Sequence, residues 1–312
     1  MTTYVVTGGA GFIGSNIVDR LVQEGHDVRV VDDFSTGHER NLARVADRTE
    51  LLRGSVCDTE LLRRACEGAD CVLHQAALAS VPRSIENPVA TNEANVEGTL
   101  KVLKTADECG VRRVVYASSS SVYGDSPRLP KREEMTPRPK SPYAVSKLAG
   151  EHYCTVFDEV YDVEAVALRY FNVFGPRQDP TSQYAAVIPI FVKCILEGER
   201  PEVFGDGEQS RDFTFVEDVV EANLQAARAP EAAGRVCNLG CGRRFTLNEL
   251  LELLAQITGR EVDPEYGPER PGDVRHSEAD ISLARQSFGY DPQISFEEGL
   301  RRTVQWYREQ MM

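Results

Sequence analysis

Tyr143 and Lys147 stand four positions apart near the start of a predicted helix. Ser141 is a suitable N-cap residue and Pro142 a suitable first helical residue, so the helix is predicted to begin here. Residues four apart lie on one face of a helix, and an ammonium group beside a tyrosine favours its phenolate form. The pair therefore indicates a tyrosine that acts as a general base. A pattern this short also occurs in ordinary amphipathic helices.

A glycine-rich segment between a predicted strand and a predicted helix favours a catalytic pair over an ordinary amphipathic helix. The apolar run 4–6 indicates a buried strand, and apolar residues at helical spacing indicate a helix over 13–24. The glycines between them follow the spacing G-x-x-G-x-x-G. Gly8 and Gly11 permit a tight turn and a close approach of the backbone to a pyrophosphate, while Gly14 permits close packing of helix against strand. The helix N terminus adds N–H groups and a positive dipole, which together predict a dinucleotide site.

Two carboxylates at the end of the next predicted strand bear on the type of dinucleotide. This strand covers 28–31, and Asp32 and Asp33 follow it. A carboxylate here accepts a hydrogen bond from a ribose 2′-hydroxyl and repels a 2′-phosphate, so NAD is predicted rather than NADP. The positive ring of an oxidised nicotinamide would then assist Lys147 in lowering the pKa of Tyr143 toward neutrality. A tight turn that binds no ligand is the alternative.

The composition argues against several classes of partner. The 312 residues carry a formal net charge of −14, which disfavours binding to nucleic acid or to an anionic membrane. No apolar run approaches the ~20 residues needed to span a bilayer, and the first residues enter a strand directly, as expected without a signal peptide. Eight cysteines without metal-type spacing indicate free thiols in a reducing cytosol and no metal site.

Strands and helices alternate along the first half of the chain. Strands are predicted at 4–7, 28–31, 71–74, 113–118 and 164–169, and helices at 13–24, 60–67, 88–108 and 142–160. This order predicts an α/β fold of the Rossmann type, with a doubly wound parallel sheet and right-handed crossovers. Capping boxes are predicted at 246–249 and 295–298.

The second half is predicted to form a smaller, discontinuous substrate lobe. Segment 213–240 is expected to return to the main sheet through a helix and the strand 236–239. The dinucleotide-binding domain then covers 1–172 and about 213–240, and the substrate lobe covers about 173–212 and 241–312.

The tyrosine, the glycine turn and the two acids belong to a longer series of motifs that spans residues 7 to 273. These motifs are Thr7 to Gly14, Asp32-Asp33, His74 to Ala77, Asn95, Ser118 to Gly124, Tyr143 to Lys147, Arg169 to Gly175, Gly205 to Gly207, Arg211 to Phe213 and Arg270 to Asp273. With them the chain resembles the extended short-chain dehydrogenase/reductase family, in its nucleotide-sugar epimerase and dehydratase branch.

The resemblance implies a site for each participant in the reaction. The implied catalytic residues are Tyr143, Lys147, Ser119 and Ser120. The implied NAD+ contacts are Gly8, Gly11, Phe12, Ile13, Gly14, Asp32, Asp33, Phe34, Ser35, Thr36, Gly37, Ser55, Val56, Gln75, Ala76, Ala77, Asn95, Ser118, Tyr143, Lys147, Tyr170, Asn172 and Val173. The implied UDP-sugar contacts are Ala79, Ser80, Ser119, Ser120, Ser121, Tyr143, Asn172, Ala186, Val187, Val203, Phe204, Arg211, Arg270, Asp273 and Ser277. Ser55 replaces an aspartate that the family uses for the adenine amine, so a weaker, neutral contact is expected.

The residues just before Tyr123 indicate the reaction class. Dehydratases of this branch carry Thr-Asp-Glu before the Tyr-Gly, and UDP-glucuronate decarboxylases keep a glutamate there, whereas this chain has Ser120 and Ser121. Without a carboxyl group for elimination, the resemblance implies reversible hydride transfer at C4 through a 4-keto sugar. It thus implies a UDP-hexose 4-epimerase whose NAD+ stays tightly bound and is regenerated in each turnover.

Two other functions are open to this fold. A net NADP-dependent reductase would carry a basic residue near Asp32, and the two acids there disfavour it. A non-enzymatic cofactor sensor would be expected to lose the serine, the tyrosine or the lysine, and this chain keeps Ser119, Tyr143 and Lys147.

Two positions bear on the identity of the sugar. Ser277 corresponds to a gatekeeper beside the C2 substituent, and its small size implies that UDP-N-acetylglucosamine and UDP-N-acetylgalactosamine are accepted as well as UDP-glucose and UDP-galactose. The stretches 80–84 and 175–189 resemble the UDP-N-acetylglucosamine 4-epimerase subgroup. UDP-glucuronate 4-epimerases are the nearest alternative, but they tend to place an arginine where this chain has Asp179, which would repel a uronate.

The resemblance also implies a homodimer, formed by the helices at 88–108 and 142–160 pairing into a four-helix bundle. His74 and His276 have no neighbouring residues at metal-ligand spacing, and both are expected to be packing or hydrogen-bonding residues.

Overall fold

The fold was analysed in a computed structural model, which describes residues 1–180, 186–269 and 274–311. The strands are β1 (Thr3–Thr7), β2 (Asp27–Asp32), β3 (Thr49–Arg53), β4 (Cys71–His74), β5 (Arg113–Ser119), β6 (Glu164–Tyr170), β7 (Val173–Phe174), β8 (Glu202–Phe204), β9 (Ser210–Arg211), β10 (Thr214–Phe215), β11 (Val236–Leu239), β12 (Phe245–Thr246) and β13 (Glu265–Gly267). The α-helices are α1 (Phe12–Gln23), α2 (Thr59–Cys66), α3 (Val81–Glu86), α4 (Pro88–Asn92), α5 (Gly98–Glu108), α6 (Pro142–Val160), α7 (Val187–Glu197), α8 (Val216–Arg228), α9 (Leu247–Thr258), α10 (Ser282–Phe288) and α11 (Phe296–Met311).

Seven parallel strands form the main sheet in the order β3-β2-β1-β4-β5-β6-β11. The order reverses between β1 and β4, and open α/β sheets bind ligands at such a switch point, beyond the carboxyl ends of the strands. The Rossmann-type fold and all five predicted strands of the first half are confirmed, as is the return of the chain to the sheet through α8 and β11.

The edge strand β3 was not predicted from the sequence. Its sequence is TELLR, and of its five residues only Leu52 is buried. An edge strand has one bonded neighbour and one largely solvated face, so neither an apolar run nor a clear alternation is required of it.

The predicted helix at 88–108 is interrupted. A π-helical segment, Glu93–Glu97, separates α4 from α5. Asn95 lies in this segment and is buried, and its side chain accepts a hydrogen bond from Leu78 N at 2.8 Å and donates one to Ser146 Oγ at 3.0 Å. The extra residue of a π-helical turn therefore directs Asn95 inward, toward α6.

Three apolar clusters form the core. Two of them cover the two faces of the main sheet, with α1 and α8 on one face and α2 and α5 on the other. The third is built from α7, α9 and α11 with the short strands between them, and it contains stacked and edge-on phenylalanines around Phe296. The division into two domains made from the sequence stays a prediction.

Of the two predicted capping boxes, one is complete. Thr246 and Glu249 exchange both hydrogen bonds at the start of α9. Before α11, Ser295 accepts the bond from Glu298 N at 3.2 Å, but the carboxylate of Glu298 pairs with Arg302 at 2.7 Å instead of returning a bond.

Segment 274–280 connects two distant parts of the chain through its main chain. On one side it pairs with Ser210, with N···O distances of 2.9 and 3.0 Å. On the other side it pairs with Lys131, at 2.7 and 2.8 Å. Because Lys131 belongs to the loop after the serine run, the segment joins β9 to that loop.

None of the helices that the structure describes is long and apolar enough to cross a membrane. All eight cysteines are unpaired. Within the described ranges, no group of three or more histidine, cysteine or acidic side chains is placed to hold a metal ion.

Candidate active site

The glycine turn leaves no room for side chains. Gly8 has a φ of +67°, and a Cβ there would lie 2.7 Å from Ala76 Cα. A Cβ on Gly14 would lie 2.1 Å from Gly8 O. The N-cap of α1 is Gly11, which offers no side-chain cap, and the first turn of α1 carries no acid. A tight backbone cradle at an uncapped helix N terminus suits a pyrophosphate, so the residues present fit the implied NAD+.

Asp32 is buried at the end of β2 and its carboxylate is already engaged. It accepts hydrogen bonds from Ala10 N and Phe34 N, both at 2.8 Å. Burial raises the pKa of Asp32 and these two bonds oppose the rise. Asp33 is exposed and accepts a bond from Ser35 N at 2.9 Å. In the chain alone, Asp32 therefore fixes the glycine turn against β2, and its contact with a ribose stays a prediction.

Tyr143, Ser119 and Lys147 lie near one another at the carboxyl end of β5. Ser141 caps α6 by accepting a bond from Ala144 N at 3.1 Å. Tyr143 lies in the first turn of α6, close enough to Ser119 for that hydroxyl to act on the pKa of Tyr143. Lys147 Nζ lies 5.9 Å from the centroid of the Tyr143 ring and donates to Ala117 O at 2.7 Å.

The pKa values of this group differ from the expectation drawn from the sequence. Burial raises the pKa of Tyr143 above its usual value, and the hydrogen bond with Ser119 opposes that rise. Burial also lowers the pKa of Lys147 to about 7. Both shifts have one cause, since a site closed to water disfavours the charged forms of both side chains. The chain alone therefore holds Tyr143 neutral, and the charge that would ionise it has to arrive with the cofactor.

A second polar group lies behind the sheet end. His74 is fully buried between Thr7 Oγ1 at 2.6 Å and Thr99 Oγ1 at 3.0 Å, and burial lowers its pKa to about 3. Thr7 Oγ1 also accepts a bond from Ala76 N at 3.3 Å. The expected role of His74 as a hydrogen-bonding residue is confirmed, and it is neutral at physiological pH. His276 likewise bonds to Ser210 Oγ at 2.9 Å.

A cavity of about 350 Å³ opens beside the cofactor region. Its lining includes five of the residues predicted to contact a UDP-sugar, namely Asn172, Ala186, Val187, Phe204 and Arg211. Val203, predicted with them, instead has its side chain fully buried in the third apolar cluster. The hydroxyl of Ser80 caps α3 by accepting a bond from Arg83 N at 3.2 Å. The predicted contacts Arg270 and Asp273 lie outside the described residues, as do Tyr184 and Ala185.

Comparison with known proteins agrees with this geometry. Residues 4–240 match the model of the NAD dependent epimerase/dehydratase family. A UDP-glucose 4-epimerase of Mycolicibacterium smegmatis is 40% identical over 308 residues, 97% of this chain and 98% of the relative. The chain belongs to the NAD-dependent epimerase/dehydratase family.

Two solved members of the family have nearly the same fold. A UDP-N-acetylglucosamine 4-epimerase from Methanobrevibacter ruminantium M1, in complex with UDP-N-acetylmuramic acid, has a TM-score of 0.95 and is 42% identical, with 99% of each chain covered. A UDP-glucose 4-epimerase from Thermotoga maritima, with UDP-glucose, also has a TM-score of 0.95 and is 39% identical, with 100% of each chain covered.

One buried ion pair, between Glu151 and Arg169, was not predicted from the sequence. Glu151 lies one turn after Lys147 on α6, and its carboxylate is held by Arg169 through two bonds, of 2.9 and 2.7 Å. Glu151 also accepts a bond from Ser118 Oγ, and the Arg169 guanidinium lies 4.7 Å from the centroid of the Tyr123 ring. The spacing of Tyr143, Lys147 and Glu151, four residues each, could have revealed Glu151, because all three share a helical face.

The predicted cofactor contacts Gln75 and Tyr170 are also brought together. Gln75 Nε2 donates to Tyr170 Oη at 3.1 Å, and both contact Asn223 Oδ1, at 3.1 and 2.9 Å. Asn223 is fully buried on α8 and was not predicted. The sequence gives little indication of this role, because Asn223 is a single asparagine within a helix and its partner Gln75 lies 148 residues away.

Proposed function

We propose that the protein is a cytosolic isomerase, a UDP-hexose 4-epimerase with tightly bound NAD+. We propose that it interconverts UDP-N-acetylglucosamine and UDP-N-acetylgalactosamine, and also UDP-glucose and UDP-galactose. The observation that carries the proposal is the contact between Tyr143 and Ser119 at the sheet end, where Ser120 and Ser121 stand in place of acids. The eight unpaired cysteines fit a reducing compartment.

The roles of the catalytic side chains follow from their hydrogen bonds. Ser119 Oγ accepts a bond from Ser121 N at 3.2 Å, which leaves its proton free for Tyr143 or for the sugar C4 hydroxyl. Tyr143 would take the proton of that hydroxyl, and Lys147 would stabilise the phenolate. NAD+, when bound, supplies a reversible hydride acceptor. The resulting 4-keto sugar would turn about its diphosphate link and present its other face before the proton returns from Tyr143.

Elimination of water or loss of carbon dioxide requires a further acid or base beside the sugar, and the geometry disfavours both reactions. Glu151 is the carboxylate nearest in sequence to the catalytic pair, but Arg169 holds both of its oxygens. Its exposed fraction is 2%, so its carboxylate is not open to a substrate. Epimerisation at C4, in contrast, needs no carboxylate beside Tyr143 and Ser119.

The choice of sugar rests on Ser277 and Asp179. A serine at the gatekeeper position leaves room for an acetamido group at C2. Asp179 Oδ2 lies 3.2 Å from His38 Nε2, so this carboxylate is partly engaged rather than directed freely at a substrate. That contact weakens the charge argument against a uronate, and UDP-glucuronate 4-epimerase is kept as the second candidate.

The deciding experiment measures kcat/KM on UDP-glucose, UDP-N-acetylglucosamine and UDP-glucuronate side by side. We expect the N-acetylated sugar to be turned over at least as efficiently as the simple hexose, and the uronate poorly. Turnover of UDP-glucuronate alone would replace the first candidate by the second. Absorbance of the purified protein at the reduced-nicotinamide band separates an epimerase, which keeps its cofactor, from a reductase, which is purified without it.

We further propose a homodimer through the helices at 88–108 and 142–160. Val145 and Val156 are 53% and 46% exposed and are eleven residues apart on α6, which places them on one face of the helix. Val89 on α4 is 75% exposed. Apolar side chains exposed along two contacting helices support a subunit interface here.

A further inference from the structure

Asp212 is a fully buried acid that follows the strand β9, next to Arg211. Its carboxylate accepts three main-chain hydrogen bonds, from Cys241 N at 2.7 Å and from Gly242 N and Ala279 N at 3.0 Å. Among the described residues it forms no ion pair, so these N–H groups alone compensate the buried charge. A buried carboxylate held only by main chain fixes the segments that supply the N–H groups.

The segments tied by Asp212 carry the predicted substrate contacts. Ala279 belongs to segment 274–280, two residues after Ser277. The main-chain oxygen of Asp212 accepts a bond from Asn172 Nδ2 at 3.0 Å, and Asn172 lines the cavity with Arg211. Ser277 N itself bonds to Ser210 O on β9 at 3.0 Å. Asp212 thus lies where the strand of Arg211, the residue Asn172 and the segment of Ser277 meet.

We propose that Asp212 is a positioning residue for the sugar site, because its carboxylate holds segment 274–280, and with it Ser277, at a fixed distance from β9. This inference rests on the proposed epimerase function, in which Ser277 lies beside the C2 substituent. The carboxylate acts through the backbone of the segment and touches neither substrate nor cofactor.

The packing around Asp212 is tight enough for this role. A Cβ on Gly240 would lie 2.5 Å from Ala279 Cβ and 2.8 Å from Asp212 Oδ2. Asp212→Asn keeps the shape of the side chain but only one acceptor oxygen, so at least one of the three N–H groups would face an amide NH2. Gly240→Ala keeps both carboxylate oxygens of Asp212 but pushes against Ala279 and the carboxylate by steric contact. The two variants therefore loosen the same junction by different means.

The test couples Asp212 to the gatekeeper. Ser277→Tyr places a bulky wall beside C2, and the ratio of kcat/KM on UDP-N-acetylglucosamine to that on UDP-glucose should fall by roughly 10–200-fold. If Asp212 holds segment 274–280 in place, adding Asp212→Asn or Gly240→Ala to Ser277→Tyr should raise this ratio again by about tenfold. The loosened segment would then let the introduced tyrosine side chain move away from the acetamido group. A ratio that stays within about twofold of the Ser277→Tyr value in both double variants would overturn the proposal. So would a Ser277→Tyr variant with an unchanged ratio.

Asp218 provides a matched control. It is also a buried acid, and its carboxylate accepts bonds from Gln293 N at 2.9 Å and Ile294 N at 3.3 Å, away from segment 274–280. Asp218→Asn should lower stability in the same way and leave the substrate ratio unchanged. An equal change of the ratio in this variant would mean a general loss of packing and would contradict a specific role for Asp212.

Hydrogen–deuterium exchange separates this proposal from the proposed function. Asp212→Asn should speed exchange in segment 274–280 by at least about tenfold, and Asp218→Asn should not. If wild type turns over none of the UDP-sugars while this exchange result holds, the proposed function fails and the positioning role of Asp212 stands. Unchanged exchange in Asp212→Asn overturns the positioning role, whatever the activity.

Discussion

Tyr143 is the side chain on which the proposed reaction depends most. Tyr143→Phe removes the general base and keeps the ring that packs in the first turn of α6. We expect folding to be intact and turnover to fall by about 10²–10⁴-fold or more. Steady-state kinetics with circular dichroism as a folding check would show this, and a variant with near wild-type turnover would contradict the mechanism.

Ser119→Ala is expected to cost less than Tyr143→Phe. In the proposed mechanism the hydroxyl of Ser119 assists Tyr143 but does not take the substrate proton, and we expect Ser120 or a water molecule to replace it in part. The same kinetic assay compares the two variants directly. If Ser119→Ala lost more turnover than Tyr143→Phe, Ser119 rather than Tyr143 would be the residue that takes the substrate proton.

Lys147 makes stability depend on pH in a definite direction. Burial lowers its pKa in the folded chain to about 7, whereas a lysine in an unfolded chain titrates near ~10.4. Between these values the unfolded chain binds more protons, so this residue makes the free energy of unfolding rise with pH. The burial cost of the charged lysine is fully present below pH ~7 and disappears toward ~10.4.

Lys147→Met removes this cost. We expect the cofactor-free variant to be more stable than wild type near pH 6, with a difference that shrinks as the pH rises above about 7. Urea unfolding at a series of pH values measures it. A difference that is constant with pH would show that the lysine is not buried in the charged form.

The glycine turn is the element most sensitive to a single methyl group. Gly14→Ala would place Cβ 2.1 Å from Gly8 O, so either the turn or the start of α1 has to move. We expect loss of bound cofactor and a lower melting temperature. Gly25→Ala, beyond the other end of α1, is a control for a destabilising replacement outside the turn, because Gly25 has a φ of +81° but a Cβ there would meet nothing within 4 Å. Equal cofactor content in the two variants would argue against a tight cradle.

Local signals predicted the strands and helices of the first half and the proposed catalytic residues, which lie within or between adjacent elements. The strand β5, the helix α6 and the glycine turn each have a periodicity or cap of their own. Asp212 has no such signal, because the N–H groups that its carboxylate binds lie up to 67 residues away and become neighbours only after the sheet is assembled. Glu151 shares a helical face with Lys147, but its partner Arg169 lies on β6 and is not indicated by that spacing. The pKa of Tyr143 was expected to be lowered for a related reason, since the helical spacing shows Lys147 but not the burial that both residues share.

The proposed dimer concerns the molecule as a whole. Replacing both Val145 and Val156 by aspartate should dissociate it, because four charges would be buried in a two-fold interface. Gel filtration or sedimentation at micromolar concentrations would show a monomer, with Leu51→Asp as a control at a 43% exposed apolar position on the edge strand β3, outside the proposed interface. Wild type of monomer size across this range would contradict the dimer itself.

The main-chain ladder through segment 274–280 has a mechanical consequence. Tyr123 Oη, at the end of the serine run, donates to Asn238 Oδ1 at 2.7 Å, and Asn238 Nδ2 bonds to the main-chain oxygens of Lys131 and Asp280, at 3.0 and 3.1 Å. Hydrogen bonds of segment 274–280 therefore link β9 to the loop that follows the serine run. We expect segment 274–280 to be rigid. In the proposed reaction the bound sugar would then turn by rotation about the bonds of its diphosphate, and the segment would not move with it.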